Sequence, residues 1–244
     1  MDFTIKDFLS NGFAGKYFIT HQDSQIALIV LIAAVAVTII SAYLLGSINF
    51  AIIISGKTYK QDIRSFGSKN AGMTNMMRTY GKKAAGYTLL GDALKAVVSC
   101  LIGYAAWGNT GAYLAGLFCI IGHIFPLYYN FKGGKGVVTA AVTILMCDPL
   151  VFLILFTFFV IIVAFTKYIS LGSVMCMLLY PVVLSMVAIP PIEQLACVMI
   201  IEFLIIAKHW TNIKRLRDGT ESKFSFKKSV KQPTQEETDK EQNK

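Results

Sequence analysis

The 244-residue sequence contains little charge and few acidic residues. Only 15% of the residues are charged, and 14 Asp and Glu stand against 23 Lys and Arg, whereas 55% of the residues are hydrophobic. Soluble globular domains carry about 25% charged residues, so this composition excludes an ordinary soluble protein. The long apolar runs between the polar segments favour a polytopic membrane protein instead.

Disulfide and metal-binding patterns are also missing. The five cysteines all lie inside apolar runs and form no C-x-x-C pair. We therefore interpret them as buried small hydrophobic residues rather than as a disulfide framework or a metal site. The carboxylates are too few and too scattered for a Mg²⁺ site. We expect neither a metal nor an organic cofactor.

Hydropathy and the charged breaks predict seven apolar segments. A full span needs about 20 residues, so the first segment is too long and is expected to continue beyond Gly46 as a cytoplasmic extension. The fourth is short and is expected to be a half-span or a re-entrant helix. The predicted fold class is therefore an all-α polytopic integral membrane protein with about seven transmembrane helices, one of them short. The segments are 26–56, 84–106, 110–129, 136–147, 149–166, 168–188 and 192–207.

The positive charges lie on one side of this predicted bundle. Alternate polar segments hold 20 of the 23 Lys and Arg, and the turns on the opposite side hold none. By the positive-inside rule, the N-terminus is outside and the C-terminus is cytoplasmic. The formal charge of +9 thus indicates topology rather than nucleic-acid binding. We expect an extracytoplasmic extension at 1–25, a transmembrane domain at 26–224 and a disordered cytoplasmic tail at 225–244, since the tail is polar and poor in aromatic residues.

The polar motifs all fall on the predicted cytoplasmic side. Residues 64–78 read RSFGSKNAGMTNMMR, and residues 130–136 read NFKGGKG. Cations, hydroxyls and the N–H groups that glycine leaves accessible are the groups that bind phosphate. Taken singly, each loop is also explained as a positive-inside anchor, and GGKG lacks the Walker spacing of P-loops. An anchor needs no glycines or side-chain amides, however, so the first loop predicts phosphate binding at the membrane surface.

Two opposite charges occur within the second predicted span. Asp92 and Lys95 are three residues apart and therefore lie on one face of a helix. Charged side chains are costly in lipid, so we expect the two to pair and to face the interior of the bundle. A structural role and a role in an active site both remain open for this pair.

Four motifs, in this order, resemble the bacterial acyl-phosphate:glycerol-3-phosphate acyltransferase family. A fifth short motif, KYISLGS at 167–173, also matches, and the likeness covers about residues 43–224. Asn49, Lys69 and Met73 depart from the family pattern, and the last two make the first loop bulkier. The four motifs are GSINF at 46–50, DIRSFGSKNAGMTNMMR at 62–78, GHIFPLYYNFKGGKG at 122–136 and KHWTNIKRLRDGTE at 208–221.

The resemblance implies a multi-pass enzyme of the bacterial plasma membrane with its active site on the cytoplasmic face. The implied reaction transfers a fatty acyl group from acyl-phosphate to the 1-hydroxyl of sn-glycerol 3-phosphate. It gives 1-acyl-glycerol 3-phosphate (lysophosphatidic acid) and phosphate, which is the first step of phospholipid synthesis. The expected partners are these two substrates and the lipid bilayer, with no nucleic acid and no obligate protein partner.

The resemblance also assigns site residues. Catalytic roles are implied for five residues, which are Ser68, Arg78, Lys135, His209 and Asn212. Substrate or phosphate binding is implied for Ser47, Arg64, Asn70, Gly72, Thr74, Asn75, Gly133, Gly134 and Ser173, and a structural role for Glu221. An acyl-phosphate is already activated, so no covalent enzyme intermediate is required. His209 then either positions the acceptor hydroxyl, which we favour, or acts as a general base.

Three other functions fit parts of this sequence. A membrane transporter of an organic phosphate is the main alternative, but it calls for polar residues near the middle of the bilayer and for an inverted repeat. A non-catalytic protein that binds anionic lipid headgroups explains the cations but not the glycines and amides. Acyltransferases with thioester donors use an H-x-x-x-x-D dyad, which is absent because Ile26, Tyr128 and Lys214 follow the three histidines at that spacing.

Overall fold

The structure is a computed structural model that describes residues 4–22 and 24–224. In these residues it contains α-helices, two short 3₁₀ turns and no β-strand, which confirms the predicted all-α class. The predicted tail at 225–244 lies outside the described residues. The helices are α1 (Ile5–Thr20), α2 (Gln25–Ser47), α3 (Phe50–Tyr59), α4 (Met73–Tyr80), α5 (Lys82–Ile124), α6 (Val137–Cys147), α7 (Pro149–Thr166), α8 (Ile169–Val187), α9 (Ile192–Lys208) and α10 (Trp210–Arg217).

Four stretches are long and apolar enough to cross a membrane. They are Gln25–Tyr59, Lys82–Tyr129, Pro149–Thr166 and Ile169–Val187, whereas Val137–Cys147 is apolar but shorter. The prediction of a membrane protein with several apolar helices is thereby confirmed. The number of seven spans and the orientation of the termini stay predictions.

Helix α5 contains two of the predicted spans, which fold back against each other so that Lys95 contacts His123. Its backbone leaves the helical conformation at Trp107 and Gly108, and Gly108 has a φ of 52°. Only glycine adopts this left-handed region at little cost, and the WGNT sequence forms the turn that it predicts. A Cβ at Gly103 would lie 2.2 Å from the Gly111 carbonyl oxygen, so the chain reverses direction here and the two halves of α5 pack side by side. Helix α7 begins with Pro149 in its first turn, where proline is well tolerated because the first N–H groups have no intrahelical partner.

The described residues divide into two compact units, and the boundaries fall between Asn49 and Phe50 and, within α5, between Leu89 and Leu90. The larger unit comprises residues 4–22, 24–49 and 90–224, and helices α6 to α9 pack consecutively within it. Its core contains the buried side chains of Tyr113, Ile120 and Tyr180. All five cysteines are buried and unpaired, which confirms their interpretation as small core residues.

The smaller unit comprises residues 50–89 and is built around a loop. Helix α3, a 3₁₀ turn at Ile63–Ser65 and helix α4 pack against one another. Their core contains Ile63, Met76 and Tyr80, and the Tyr80 ring stacks on Tyr59 with 3.9 Å between the ring centroids. This small apolar core anchors both ends of the loop at 66–72.

Candidate active site

In the smaller unit, Asn75 organises the loop that the sequence predicts to bind phosphate. Its side chain is buried, and its Nδ2 donates to the carbonyl oxygens of Ile63 (3.2 Å), Phe66 (2.9 Å) and Asn70 (3.1 Å). Its Oδ1 accepts a hydrogen bond from the Ser68 N–H at 3.0 Å. One amide thus contacts four backbone groups, with its two N–H bonds shared among three carbonyl oxygens. This fixes the loop but leaves Asn75 little capacity to bind a ligand directly.

The loop around Ser68 follows a path with two left-handed residues, and this path exposes the side chains of Ser68 and Lys69. Gly67 and Lys69 both have positive φ values, 55° and 57°. A Cβ at Gly67 would lie 2.3 Å from Asn75 Oδ1, so this position excludes any side chain. The Ser68 side chain between them is exposed. This path presents the Ser68 hydroxyl outward, whereas the N–H groups of Ser68 and Lys69 donate within the loop region to Asn75 Oδ1 and to the Phe66 carbonyl oxygen.

Helix α4 begins directly after this loop. Gly72 immediately precedes it, Thr74 lies in its first turn, and the half-buried Arg78 lies in its last turn. The first N–H groups of a helix lack intrahelical partners and carry partial positive charge. The smaller unit therefore combines a helix N-terminus, hydroxyls and a guanidinium within one short segment, which is a favourable environment for an anion.

Arg64 is engaged by an acid from its own turn. Asp62 accepts hydrogen bonds from the Arg64 N–H at 2.9 Å and from Arg64 Nη2 at 2.7 Å. The hydrogen bonds from Arg64 hold the pKa of Asp62 below its usual value. Asp62 thereby orients the guanidinium. To bind substrate as predicted, Arg64 would have to release Asp62 or contact the substrate and Asp62 at the same time.

In the larger unit, Lys135 and Asn212 form the centre of a second polar site. Lys135 Nζ donates to Asn212 Oδ1, although the two residues are 77 positions apart in the chain. Lys135 precedes α6 and Asn212 lies in α10, where it is buried. The pair presents an ammonium group whose position is fixed by a side-chain amide.

Glu221 fixes the Asn212 side chain of this pair through hydrogen bonds. Its Oε1 accepts hydrogen bonds from Asn212 Nδ2 at 2.6 Å and from Ser170 Oγ at 2.7 Å, and its Oε2 accepts from Arg215 Nε at 2.7 Å. Burial raises the pKa of Glu221, but these three hydrogen bonds together hold it below its usual value. Glu221 is therefore an ionised anchor that orients Asn212.

His209 is buried and held in one tautomer. Its Nδ1 lies 2.8 Å from the Ile205 carbonyl oxygen, so Nδ1 carries the proton and Nε2 is left as an acceptor. Burial, together with the positive charge of Lys135, lowers the pKa of His209 to about 4. The imidazole is therefore neutral at physiological pH, with one lone pair that can accept a hydrogen bond.

The glycines of the GGKG segment allow the loop to pack closely against the end of α5. The N–H groups of Gly133 and Gly134 donate to the carbonyl oxygens of Ile124 (3.2 Å) and His123 (3.1 Å). A Cβ at Gly133 would lie 2.0 Å from the His123 carbonyl oxygen. These amide hydrogens are committed to the loop, so phosphate binding by the two glycines stays a prediction that rests on their lack of side chains.

Ser47 and Ser173, the two predicted site serines of the larger unit, are buried. Ser47 Oγ donates to the Tyr43 carbonyl oxygen at 2.8 Å and accepts from the Leu127 N–H at 3.2 Å. Ser173 Oγ donates to the Ile169 carbonyl oxygen at 3.0 Å. Each hydroxyl thus has a main-chain partner, and Ser47 lies next to the loop that leads to Lys135. Substrate binding by Ser47 and Ser173 stays a prediction.

The larger unit thus brings together Lys135, Asn212 and Glu221, with His209 within the electrostatic influence of Lys135. The sequence did not identify Ser170 or Arg215 as members of this network. Ser170 lies three residues before Ser173, and that helical spacing within KYISLGS was the signal that could have identified it. The smaller unit holds the other predicted set, from Arg64 to Arg78.

Known proteins of one family match most of this chain. A family model described as glycerol-3-phosphate acyltransferase matches residues 36–219. The glycerol-3-phosphate acyltransferase of Finegoldia magna is 43% identical over 187 residues, which cover 76% of this chain and 93% of that protein. The protein of the same name from Thermoanaerobacter pseudethanolicus is 41% identical over 194 residues, covering 80% of this chain and 98% of that protein.

Solved structures give the same result. The crystal structure of PlsY (YgiH), an integral membrane glycerol 3-phosphate acyltransferase, in its glycerol 3-phosphate form has a TM-score of 0.74 and 36% sequence identity, and covers 78% of this chain and 96% of that chain. The lysophosphatidic acid form of PlsY has a TM-score of 0.71 at 34% identity. The chain therefore belongs to the glycerol-3-phosphate acyltransferase family of integral membrane enzymes, as its motifs predicted.

Proposed function

We propose that this acyltransferase uses an acyl-phosphate as donor and sn-glycerol 3-phosphate as acceptor. The acceptor 1-hydroxyl oxygen attacks the acyl carbonyl carbon, and the bond between that carbon and the bridging oxygen breaks. Phosphate leaves with the bonding electron pair and takes up the hydroxyl proton, so that 1-acyl-glycerol 3-phosphate and phosphate are formed. Because the donor is a mixed anhydride, no covalent enzyme intermediate is needed.

The observation that carries this proposal is the fixed ammonium of Lys135 with the neutral imidazole of His209. Lys135 is held by Asn212, which is held in turn by Glu221. A preorganised cation of this kind neutralises a phosphate and the oxyanion that develops in the transition state, without reorganisation during the reaction. The PlsY structures named for glycerol 3-phosphate and lysophosphatidic acid, the acceptor and the product, support this choice of substrates.

We assign His209 a positioning role. Its Nδ1–H is bound to the Ile205 carbonyl, so only Nε2 is available, and it can accept a hydrogen bond from the acceptor hydroxyl. A pKa of about 4 makes the imidazole a poor proton acceptor at neutral pH. The leaving phosphate is the better base, and His209 with Asn212 then serves to align the hydroxyl with the carbonyl carbon.

We assign the loop of the smaller unit to phosphate binding. Ser68 is exposed on a loop held rigid by Asn75, and Arg78 provides a guanidinium that can bind two phosphate oxygens. Asn70, Gly72 and Thr74 lie at the same loop and at the first turn of α4. Hydroxyls, a helix N-terminus and a planar cation together are the groups that phosphate recognition requires.

An acyl-phosphate rather than a thioester is favoured by two features of the chain. The H-x-x-x-x-D dyad of thioester-dependent acyltransferases is absent. The chain instead carries cations and hydroxyls in both polar segments, which suits substrates that each bear a phosphate. Acyl-phosphate also makes the leaving group a small anion that the same cations stabilise.

We further propose that the reaction takes place on the cytoplasmic face of a bacterial plasma membrane. Ser68, Lys135 and His209 all belong to the polar segments that concentrate positive charge, which are retained on the cytoplasmic side. A cysteine placed at the exposed Lys69 tests this side, because the five native cysteines are buried. An impermeant maleimide should label Lys69→Cys in inverted membrane vesicles and leave it unlabelled in intact spheroplasts; the reverse pattern would contradict the orientation.

The function is tested with purified protein in lipid cubic phase, supplied with palmitoyl phosphate and glycerol 3-phosphate in the absence of added metal. Release of inorganic phosphate is followed for the wild type and for Ser68→Ala and Arg78→Ala. The matched controls are Ser65→Ala, an exposed serine on the neighbouring 3₁₀ turn, and Arg217→Ala, an exposed arginine paired with Asp218.

We expect release that depends on glycerol 3-phosphate, that falls at least 10²-fold in Ser68→Ala and Arg78→Ala, and that is unchanged in both controls. Wild-type activity that survives in both loop variants would remove the loop from the site. Absence of phosphate release, together with uptake of glycerol 3-phosphate by proteoliposomes, would replace the enzyme with an organic-phosphate transporter.

A further inference from the structure

A buried ionic cluster within the larger unit is not used by the mechanism above. Lys95 Nζ lies 2.9 Å from Asp92 Oδ1 on the same helix, which confirms the pairing predicted from their spacing. His123 Nδ1 lies 2.8 Å from Lys95 Nζ and 3.6 Å from Asp92 Oδ1. The three side chains are between 2% and 5% exposed. Buried charges of this kind are costly unless they are paired and hydrogen-bonded.

The Lys95 ammonium also binds the end of α2. Its Nζ donates to the carbonyl oxygens of Gly46 at 3.0 Å and Ile48 at 2.8 Å. The last carbonyls of a helix have no intrahelical partner and carry partial negative charge, so a cation is the group that satisfies them best. Because the two carbonyls flank Ser47, the ammonium fixes the backbone on both sides of that residue.

Ser47 links the end of α2 to the loop that follows α5 by a hydrogen bond. Its hydroxyl accepts the Leu127 N–H at 3.2 Å, and one turn earlier Tyr43 OH donates to the Phe125 carbonyl oxygen at 3.0 Å. The end of α2 therefore holds the segment that follows α5 at two points. Ser47 is fully buried, so its hydroxyl acts on the loop rather than on solvent.

The other end of this loop is hydrogen-bonded to α5, which carries the buried ionic cluster. The Gly134 N–H donates to the carbonyl oxygen of His123, which is the residue whose imidazole binds Lys95. Lys135 follows Gly134 directly and carries the ammonium held by Asn212. A continuous path of hydrogen bonds thus runs from the buried cluster to the backbone next to Lys135.

Close helix packing leaves little room for the end of α2 to move in compensation. A Cβ at Gly46 would lie 2.2 Å from the Cys119 carbonyl oxygen, and a Cβ at Gly122 would lie 2.3 Å from the Tyr43 carbonyl oxygen. The two backbones are therefore in direct contact at the level of the cluster. Loss of the ammonium would leave the Gly46 and Ile48 carbonyls buried and unsatisfied at this contact.

We propose that Lys95, held by Asp92 and His123, is a positioning residue that sets the place of Lys135 by fixing the end of α2 against the loop at 125–134. This inference deepens the proposed function and rests on it, because it assumes that Lys135 acts on a substrate phosphate. Lys95 itself does not touch the substrate. A displacement of about 1 Å at a catalytic group can cost about 10²-fold in rate.

The test separates positioning from folding by changing the buried charges singly and together. Lys95→Met removes the ammonium but leaves Asp92 as an unpaired buried charge, which is strongly destabilising. The double variant Asp92→Asn/Lys95→Met removes both charges, so its thermal stability should recover towards that of the wild type. Lys83→Met, an exposed lysine on the same helix, is the matched control.

Three quantities are measured for each variant in detergent. They are the thermal midpoint, kcat and KM for phosphate release from palmitoyl phosphate and glycerol 3-phosphate, and hydrogen–deuterium exchange of the peptide that covers residues 125–136. The double variant should recover much of the thermal midpoint lost in Lys95→Met and yet retain a loss of about 10²-fold in kcat/KM, with a raised KM for a phosphorylated substrate. Its 125–136 peptide should exchange faster, and the control should match the wild type in all three.

Recovery of activity together with stability in the double variant would overturn the proposal, since the cluster would then serve folding alone. Tyr43→Phe gives a second test that leaves every charge in place and removes one hydrogen bond to the loop. It should lower kcat/KM about fivefold, the equivalent of one hydrogen bond, and speed exchange at 125–136; wild-type values for both would also overturn the proposal. If the wild type releases no phosphate, the proposed function fails, whereas the exchange data still decide whether Lys95 fixes the loop.

Discussion

The protonation of His209 gives a sharp test of how the site works. The side chain is 2% exposed, its Nδ1 is bound to the Ile205 carbonyl, and Lys135 lies near enough to repel a second positive charge. Burial and Lys135 lower its pKa to about 4. We therefore predict that His209 stays neutral throughout the pH range in which the enzyme works, and that it contributes no ionisation to the pH profile.

The size of the effect follows from this pKa. Relative to an unperturbed histidine near 6.5, a pKa of about 4 corresponds to roughly 3 kcal/mol that disfavours the charged form. At pH 6 only about 1% of the imidazole is then protonated. The unfolded chain takes up this proton near pH 6.5 and the folded chain does not, so stability is constant above about pH 6.5. It falls by up to about 3 kcal/mol as the pH is lowered to about 4.

The assay compares the wild type with His209→Gln at each pH. Phosphate substrates themselves titrate near pH 6, so the ratio of the two kcat/KM values is used because it cancels substrate ionisation. We predict a constant ratio from pH 5.5 to 8. The carbon-13 resonance of the His209 ring, assigned by its loss in His209→Gln, should likewise show no titration in this range.

A general base with an unperturbed pKa gives a different result. For a pKa near 6.5, about a tenth of the imidazole is neutral at pH 5.5 and nearly all of it at pH 8, so the ratio would rise about tenfold. That rise, or a His209→Gln enzyme whose kcat is lost by about 10⁴-fold, would refute the positioning role. A retained kcat with a raised KM for glycerol 3-phosphate is the outcome that positioning requires.

Two further substitutions test the supports of the two polar sites. Glu221→Gln replaces the acceptor of the Arg215 hydrogen bond with a donor. Because Arg215 is partly exposed, we expect the free energy of unfolding to fall by only about 1–2 kcal/mol and kcat/KM to fall about tenfold. Thermal unfolding and phosphate release measure the two effects. An unchanged midpoint and activity would remove Glu221 from the site. Gly67→Ala adds a Cβ at a φ of 55° and 2.3 Å from Asn75 Oδ1, and should cost at least 1–2 kcal/mol, whereas Gly56→Ala, with open space around it, should not destabilise the protein. Equal stability of the two glycine variants would contradict the tight packing of the loop.

Much of the fold could be predicted because apolar segments and their charged borders are local properties. The segments predicted at 149–166 and 168–188 correspond to α7 and α8 almost residue for residue. Helix α1 was not predicted, since its sequence has two glycines and no continuous apolar face. The WGNT sequence predicts a turn between two helices, and the chain does reverse direction there, because Trp107 and Gly108 leave the helical conformation within α5.

The site was predictable in its residue types but not in its connections. The motifs identified Lys135, Asn212 and Glu221, yet the hydrogen bond between Lys135 and Asn212 joins positions far apart in the chain and depends on tertiary packing. In the same way, the amide of Asn75 suggested a ligand contact, whereas in the structure it bonds four backbone groups of its own loop. An amide side chain serves either purpose, and its surroundings alone decide between them.

The most direct measurement of the proposed chemistry is the stoichiometry of a single reaction with alternative donors. Purified protein is given glycerol 3-phosphate with either palmitoyl phosphate or palmitoyl-coenzyme A, and phosphate and acylated product are quantified together. The account predicts one phosphate and one 1-acyl-glycerol 3-phosphate per palmitoyl phosphate consumed, and no product from the thioester. Product formed from the thioester, or phosphate released without acylated glycerol 3-phosphate, would contradict it.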